Sequence, residues 1–285
     1  MPTLQQKAVG YINEKTKSKT PFFLYLPLTA PHTPIVPHEA FLGKSGLNKY
    51  ADFVMQVDAF VGEILNSLKR NNALIVFASD NGCSPQANFK ELEEKGHDPS
   101  YIFRGMKSDI YEGGHHIPCI IQWPAVIKKG GQICPQPISL NDFMATFANI
   151  TGYKIVDHEA EDSFNLFSLF KNPHSKTPAR EAIVYHSIDG NFSIRKGKWK
   201  LALSAGSGGW SFPRAEEEEE GMPTIQLYNI ETDIAETHNV QAENPQIVKE
   251  LTELLIRYVK NGRSTSGSPQ KNDGVFLGAR MKWMK

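Results

Sequence analysis

The chain has 285 residues, 40% of them apolar and 22% charged, with 31 basic side chains balanced by 31 acidic ones. That is ordinary globular usage, enough for one large domain or two modest ones, and it excludes global disorder. A net charge of zero offers no electrostatic handle for nucleic acid or an anionic membrane,. No apolar run approaches the ~20 residues that span a bilayer, and residues 1–10 carry no apolar core of the signal-peptide type. Three scattered cysteines (Cys83, Cys119, Cys134) are too few for a disulfide framework and read as small buried or loop residues, with one bridge left open,.

In chain order, residues 3–17 form a weak helical pattern. The run FFLYLPL at 22–28, flanked by Pro21 and Pro31, predicts a strand buried on both faces,. From Tyr50 to Arg70, Phe53, Val54, Val57, Phe60, Val61, Ile64, Leu65 and Leu68 recur at helical spacing, which predicts an amphipathic helix,. ALIVFA at 73–78 and IPCIIQW at 117–123 predict two further buried strands. Ser139 is the expected N-cap of a helix through Phe143, Phe147 and Ile150 that stops at Gly152,. This alternation implies an α/β layer with a mostly parallel sheet, whose ligands bind beyond the strands' carboxyl ends.

After about residue 155 the pattern changes. Residues 182–203 alternate as short strands with turns at Gly190 and 196–198, and IQLYNI at 225–230 adds another,. Asn244-Pro245 opens a helix whose buried stripe is Ile247, Leu251, Leu254, Leu255, Tyr258 and Val259,. The expected result is a small antiparallel sheet with a covering helix. The stretch 204–221, rich in Gly and Ser with five consecutive glutamates, predicts a solvated loop, and residues 262–285 a polar tail,. The expected division is therefore 1–155 for an α/β domain, 156–262 for an α+β subdomain and 263–285 for the tail.

Three groups of polar residues follow the strands. Ser79-Asp80-Asn81-Gly82 offers a carboxylate and a neutral carbonyl oxygen, the donors that hard cations such as calcium want, and equally reads as ordinary turn chemistry,. In Ala30-Pro31-His32-Thr33-Pro34 the prolines stiffen the backbone around His32, an imidazole suited to proton transfer or to an anionic oxygen, or else a structural loop histidine,. In Arg104-Gly105-Met106-Lys107, ahead of Tyr111-Glu112-Gly113-Gly114, Lys107 is placed to neutralise an oxyanion, and Glu112 to accept backbone N–H groups in the glycine turn,. Together a hard-cation pair, a histidine and a lysine suit an anionic ester. Arg104 and His97, the latter in the 84–103 loop with Lys90 and Tyr101, are the expected substrate contacts.

These residues resemble the sulfatase family, within the alkaline-phosphatase-like superfamily. PFFLYLPLTAPHTP is similar to the family's strand and histidine loop, FASDNG to its metal loop, RGMKSDIYEGG to its lysine loop, HIPCIIQWP to the next strand, and LYNIETDIAETHNV to the closing segment. The resemblance covers nearly the whole chain apart from 204–221 and the last two dozen residues. It implies a partial alkaline-phosphatase-like fold in which Asp80 and Asn81 bind calcium while His32 and Lys107 contact the sulfate and assist departure of the alcohol. It implies sulfated carbohydrate or aryl sulfate as substrate, and a periplasmic, secreted or lysosomal setting.

The family's formylglycine arises from a cysteine or serine in a C/S-x-P-x-R motif. Cys83 is followed by Ser84-Pro85-Gln86-Ala87, and neither Cys119 nor Cys134 fits. The resemblance thus implies the second half of such an enzyme, inactive alone and prone to self-association or to pairing with the other half. His116 stands where the family has arginine after the double glycine, which puts a structural ion pair there in doubt. Two rival functions stay open: a phosphoric ester hydrolase of the same superfamily, and a non-catalytic sugar-binding or assembly module.

Overall fold

The structure is a computed structural model that describes the chain except residues 19, 69–71, 215–221, 273, 275–280 and 285. Two compact units interleave along the sequence. The first comprises Met1–Phe77, Cys83–Tyr101 and Ile120–Ala125; the second comprises Ala78–Gly82, Ile102–Cys119 and Val126–Lys285.

In the first unit α1 (Pro2–Lys15) packs against α2 (Lys49–Ser67), burying Ala8, Ile12, Phe53 and Phe60. Asn48 caps α2 by accepting the Ala51 N–H at 3.1 Å. The helix matches the expected stripe as far as Ser67; the expected end at Arg70 lies outside the described residues. β1 (Ile75–Ala78) and β2 (Cys119–Gln122) pair as a two-stranded sheet. Next to β1 come α3 (Phe89–Glu94) and a loop that buries Ala87 and Leu92.

Two expectations need correction here. Residues 22–28 are not a strand: they make no ladder among the described residues, and Phe23 and Tyr25 are largely exposed while Leu24, Leu26 and Leu28 are half-buried. A strand exists only where its N–H and C=O groups meet a partner, and Pro27 removes one ladder donor from the run. The mostly parallel sheet is likewise reduced, among the described residues, to the β1–β2 pair.

The second unit holds α4 (Glu112–His115), α5 (Asp142–Thr151), α6 (Phe167–Lys171) and a four-stranded antiparallel sheet of β3 (Ile183–His186), β4 (Phe192–Lys196), β5 (Trp199–Ala202) and β6 (Gln226–Asn229), in that order. Ile194 faces Leu201, and Leu201 faces Leu227, so one sheet face carries a continuous apolar row. The helix α7 (Pro245–Asn261) lays Leu251, Leu254 and Leu255 on β4 and β5, giving the core that the sequence pattern predicts. Gly152 and Gly262 end α5 and α7 in the left-handed conformation, as expected of helix C-termini,.

Ser139 does not cap α5. Its backbone N–H donates instead to Asp142 (2.8 Å), whose buried carboxylate also takes the Phe164 N–H and a two-pronged pair from Arg180 at 2.9 and 3.0 Å. The expected tail is not free over its first part: Arg263 bonds Asp157 at 2.9 Å and Ser264 bonds Asp162 at 2.8 Å. Most of residues 204–213 are buried rather than solvated, whereas the glutamate run lies outside the described residues.

Candidate functional site

Three glycine-bearing loops of the second unit lock together through their backbones. The Gly82 N–H donates to the Gly114 carbonyl at 3.0 Å, and the Gly113 N–H to the Arg104 carbonyl at 2.7 Å. A Cβ on Gly82 would sit 1.7 Å from the Gly113 oxygen, and one on Gly113 would sit 2.3 Å from the Gly105 oxygen. Only glycine allows this approach. The loop after β1, the Arg104–Asp109 loop and the turn at α4 thereby form one cluster, which carries Asp80, Asn81, Arg104 and Lys107.

Within this cluster three side chains are left without a hydrogen bond or ion pair among the described residues: Asp80, Asn81 and the half-buried Lys107. Asn81 is engaged only through its carbonyl, which accepts the Ser79 hydroxyl at 3.0 Å. Arg104 is differently used. Its guanidinium stacks on Tyr111 at 4.0 Å and donates to the Glu236 carbonyl (2.8 Å) and the Tyr228 hydroxyl (3.3 Å), which anchors the loop to the sheet.

His32 and His97 belong to the first unit, and both are exposed. His32 sets its Nδ1 3.0 Å from the Thr33 carbonyl and 3.2 Å from the Thr33 hydroxyl. His97 donates its backbone N–H to Leu92 at the end of α3.

Beneath the glycine turn lies a buried charge network. Glu112, almost fully buried, meets Lys200 at 3.0 Å, His116 at 3.0 Å and Arg195 at 3.5 Å. Lys200, fully buried on β5, also pairs with Glu236 at 2.9 Å, and Glu236 accepts the Glu112 N–H at 2.6 Å. Burial alone would raise the Glu112 pKa, but Lys200, His116 and Arg195 overcome it and hold the carboxyl well below the usual range. Burial would lower Lys200, but its two carboxylate partners keep it above the ordinary lysine value.

The sequence expectation that Glu112 accepts backbone N–H groups is therefore corrected: it accepts side-chain cations, and its own N–H is a donor. His116 keeps a bond to Glu112 where the family's arginine would sit, and it stacks on Phe103 at 4.2 Å. Beside it, His115 is pushed down to about 4, chiefly by burial and then by Lys200.

Sequence reasoning missed Lys200, Glu236 and Asp109. Asp109 is fully buried and accepts the Met106 N–H at 2.8 Å, the Trp210 N–H at 2.7 Å and the Ser211 N–H at 3.1 Å, together with the Ser211 hydroxyl. Ser108, next to Lys107, has φ +82°, a left-handed conformation that costs a non-glycine residue about 1–3 kcal/mol,. The signal that could have found Asp109 is the order Lys-Ser-Asp ahead of a glycine turn.

Two calcium-type ligands adjoin in the sequence, but among the described residues no group of three or more His, Cys, Asp or Glu could hold a metal ion. No helix among those residues is long and apolar enough to cross a membrane.

Residues 3–153 match the family described as Sulfatase. The chain is 33% identical to an N-acetylgalactosamine-6-O-sulfatase of Bacteroides thetaiotaomicron over 259 residues, which covers 86% of this chain and 49% of that protein. It is 34% identical to human steryl-sulfatase over 61% of this chain and 30% of that protein. A solved structure from work on glycosaminoglycan metabolism by Bacteroides thetaiotaomicron superposes with a TM-score of 0.75 at 33% identity, covering 88% of this chain and 52% of the other. Another, Ps i-CgsB in complex with k-i-k-neocarrahexaose, superposes with a TM-score of 0.71 at 26% identity, covering 95% and 57%. The chain spans about half the length of curated relatives that it matches, 49% of one and 46% of another.

Proposed function

The chain belongs to the sulfatase family, and from that premise we propose that it supplies the anion-receiving and metal-holding side of a site that hydrolyses sulfate esters. The observation that carries this reading is the set of uncommitted polar groups, Asp80, Asn81 and Lys107, on loops that interlock in one unit. A structural role would have given these groups partners, as it does for Glu112 and Asp109.

Asp80 and Asn81 present a carboxylate and an amide oxygen, hard donors that fit calcium better than zinc. When bound, calcium supplies Lewis-acid polarisation and a template for the sulfate. Lys107 neutralises charge on the sulfate oxygens, and His32 hands a proton to the departing alcohol oxygen. Arg104 and His97 contact the organic part of the ester. The nucleophile, a formylglycine, comes from a part of such enzymes that none of Cys83, Cys119 or Cys134 represents.

The relatives named for N-acetylgalactosamine 6-sulfate and steryl sulfate support a sulfated carbohydrate or an aryl-type alcohol as the substrate class. Asn81, a neutral ligand where a two-metal phosphatase carries more charged or histidine ligands, favours sulfate over phosphate. Family relationship favours a periplasmic, secreted or lysosomal setting. Having only two adjacent ligand candidates also supports a second reading, a non-catalytic module that holds sulfated sugar.

Titration of the full chain with inorganic sulfate and with calcium tests the proposal. Sulfate binding is expected to weaken at least tenfold but stay measurable in Lys107→Ala, and calcium binding, at about 10⁻³ M or weaker, to vanish in Asp80→Ala. No turnover of 4-nitrophenyl sulfate is expected from this chain. Sulfate affinity unchanged by Lys107→Ala would remove the basis of the assignment, and robust turnover would show the catalytic set to be complete.

A further inference from the structure

We propose that Asp109 is a positioning residue that fixes Lys107 by binding its loop to the arch formed by residues 206–212. This rests on the reading of Lys107 as the sulfate-receiving cation. Asp109 touches no reacting atom; it acts through the backbone on both sides of it.

One carboxylate joins two distant segments. On the near side it accepts the N–H of Met106, the residue before Lys107. On the far side it accepts the N–H groups of Trp210 and Ser211 and the Ser211 hydroxyl. Further bonds run in parallel: the Ile110 N–H donates to the Ser207 carbonyl at 2.8 Å, and the Ile188 N–H to the Ser108 carbonyl at 2.9 Å. A Cβ on Gly209 would lie 2.5 Å from the Ser108 oxygen and 2.5 Å from the Asp109 carboxylate. The arch is therefore pressed against the one residue after Lys107 that adopts a left-handed backbone.

Strain at Ser108 persists only if its surroundings over-determine it. Asp109 and the arch are those surroundings, so the direction in which Lys107 leaves the loop is set by residues a hundred positions downstream. The arch in turn is fixed at its other end, where Gln226 donates to the Ser204 and Gly206 carbonyls at 2.8 and 3.1 Å. Burial of Ser204, Gly206 and Ser207 thus serves the anion site and is not incidental packing.

The sign of one measurement separates positioning from background charge. Asp109 is an acid beside a site that takes an anion. Deleting its charge would, by electrostatics alone, tighten sulfate binding. If it positions Lys107, Asp109→Asn weakens binding instead, because an amide presents a donor to N–H groups that need an acceptor.

The experiment titrates the full chain with inorganic sulfate, following amide shifts, in wild type, Asp109→Asn, Lys107→Ala, the double variant and Ser211→Ala. Expected results are a roughly tenfold weaker dissociation constant in Asp109→Asn and two- to threefold in Ser211→Ala, which removes one donor and leaves the fold intact. No further loss is expected when Asp109→Asn is added to Lys107→Ala. Unchanged or tighter binding in both Asp109→Asn and Ser211→Ala overturns the inference. So does an Asp109→Asn loss equally large without Lys107. Wild type and Lys107→Ala binding sulfate alike would instead defeat the reading of Lys107 itself, and the inference with it.

Discussion

In the second unit Ile194, Leu201, Leu227 and Leu255 are sealed between the antiparallel sheet and α7, and both clusters of the hydrophobic core lie there. In the first, Phe23, Tyr25 and Ile120 remain 70%, 77% and 63% exposed, and β1 is only half-buried along its length. Both regions carry apolar strand-like sequences of similar quality. What differs is the number of neighbours available to cover them: the second unit has three hairpin-adjacent strands and a helix, whereas the first offers a single paired strand. Exposed aromatics of this kind favour association, and a second copy of the chain is the occupant that the last test addresses.

The contrast can be broken most forcefully at Lys200. Lys200→Met leaves the buried Glu236 without its cation and Glu112 with only His116 and Arg195. A loss of about 3–5 kcal/mol is expected for the second unit in guanidinium unfolding followed by fluorescence. A loss below about 1 kcal/mol would mean that the network contributes no more than a surface pair.

The acid limb offers a smaller and more graded test. His115 titrates near 6.5 when free and at about 4 in the fold, so between these values the unfolded chain binds the extra proton. Stability therefore rises with pH across that window and is lost as pH falls through it, by about 3 kcal/mol at most. Denaturant midpoints measured from pH 7 to pH 4 should show this slope, and His115→Gln should flatten it. An unchanged slope in that variant would place the titration elsewhere.

The helices α2 and α7 and the strands β3 to β6 were legible in the sequence because their stabilising pattern is local: apolar residues at helical or alternating spacing, with Gly190 and Asn244-Pro245 as punctuation. Residues 22–28 were misread because a strand is a property of two segments, and composition describes one. Lys200 reads as an ordinary exposed lysine between Trp199 and Leu201; its burial is decided by Glu112 and Glu236, both remote in sequence. The arch at 206–212 shares its composition with solvated linkers, and only Asp109 and Gln226 distinguish it. Asp80, Asn81 and Lys107 were singled out from their position after strands, while the side chains that hold their loops were not.

The gentlest test addresses the first unit. The variant Tyr25→Ser removes an exposed ring, so its stability should stay within about 0.5 kcal/mol of wild type,. Self-association, seen by sedimentation over a wide concentration range, should nevertheless fall. A wild-type chain that stays monomeric throughout would show that the exposed aromatics are not an adhesive face.

The glycine turn at Glu112 is closed by Arg195, Lys200 and Glu236, which follow it by 83, 88 and 124 positions. Closing such long loops is slow and brings no reward until the distant partner has itself become ordered. A chain emerging from the ribosome therefore exposes the Arg104–Gly114 segment well before anything exists to shape it. Ordering of this loop cluster is therefore expected to wait for the carboxyl-terminal sheet, and shortening the chain by a few strands should leave Asp80, Asn81 and Lys107 present on loops with nothing to shape them.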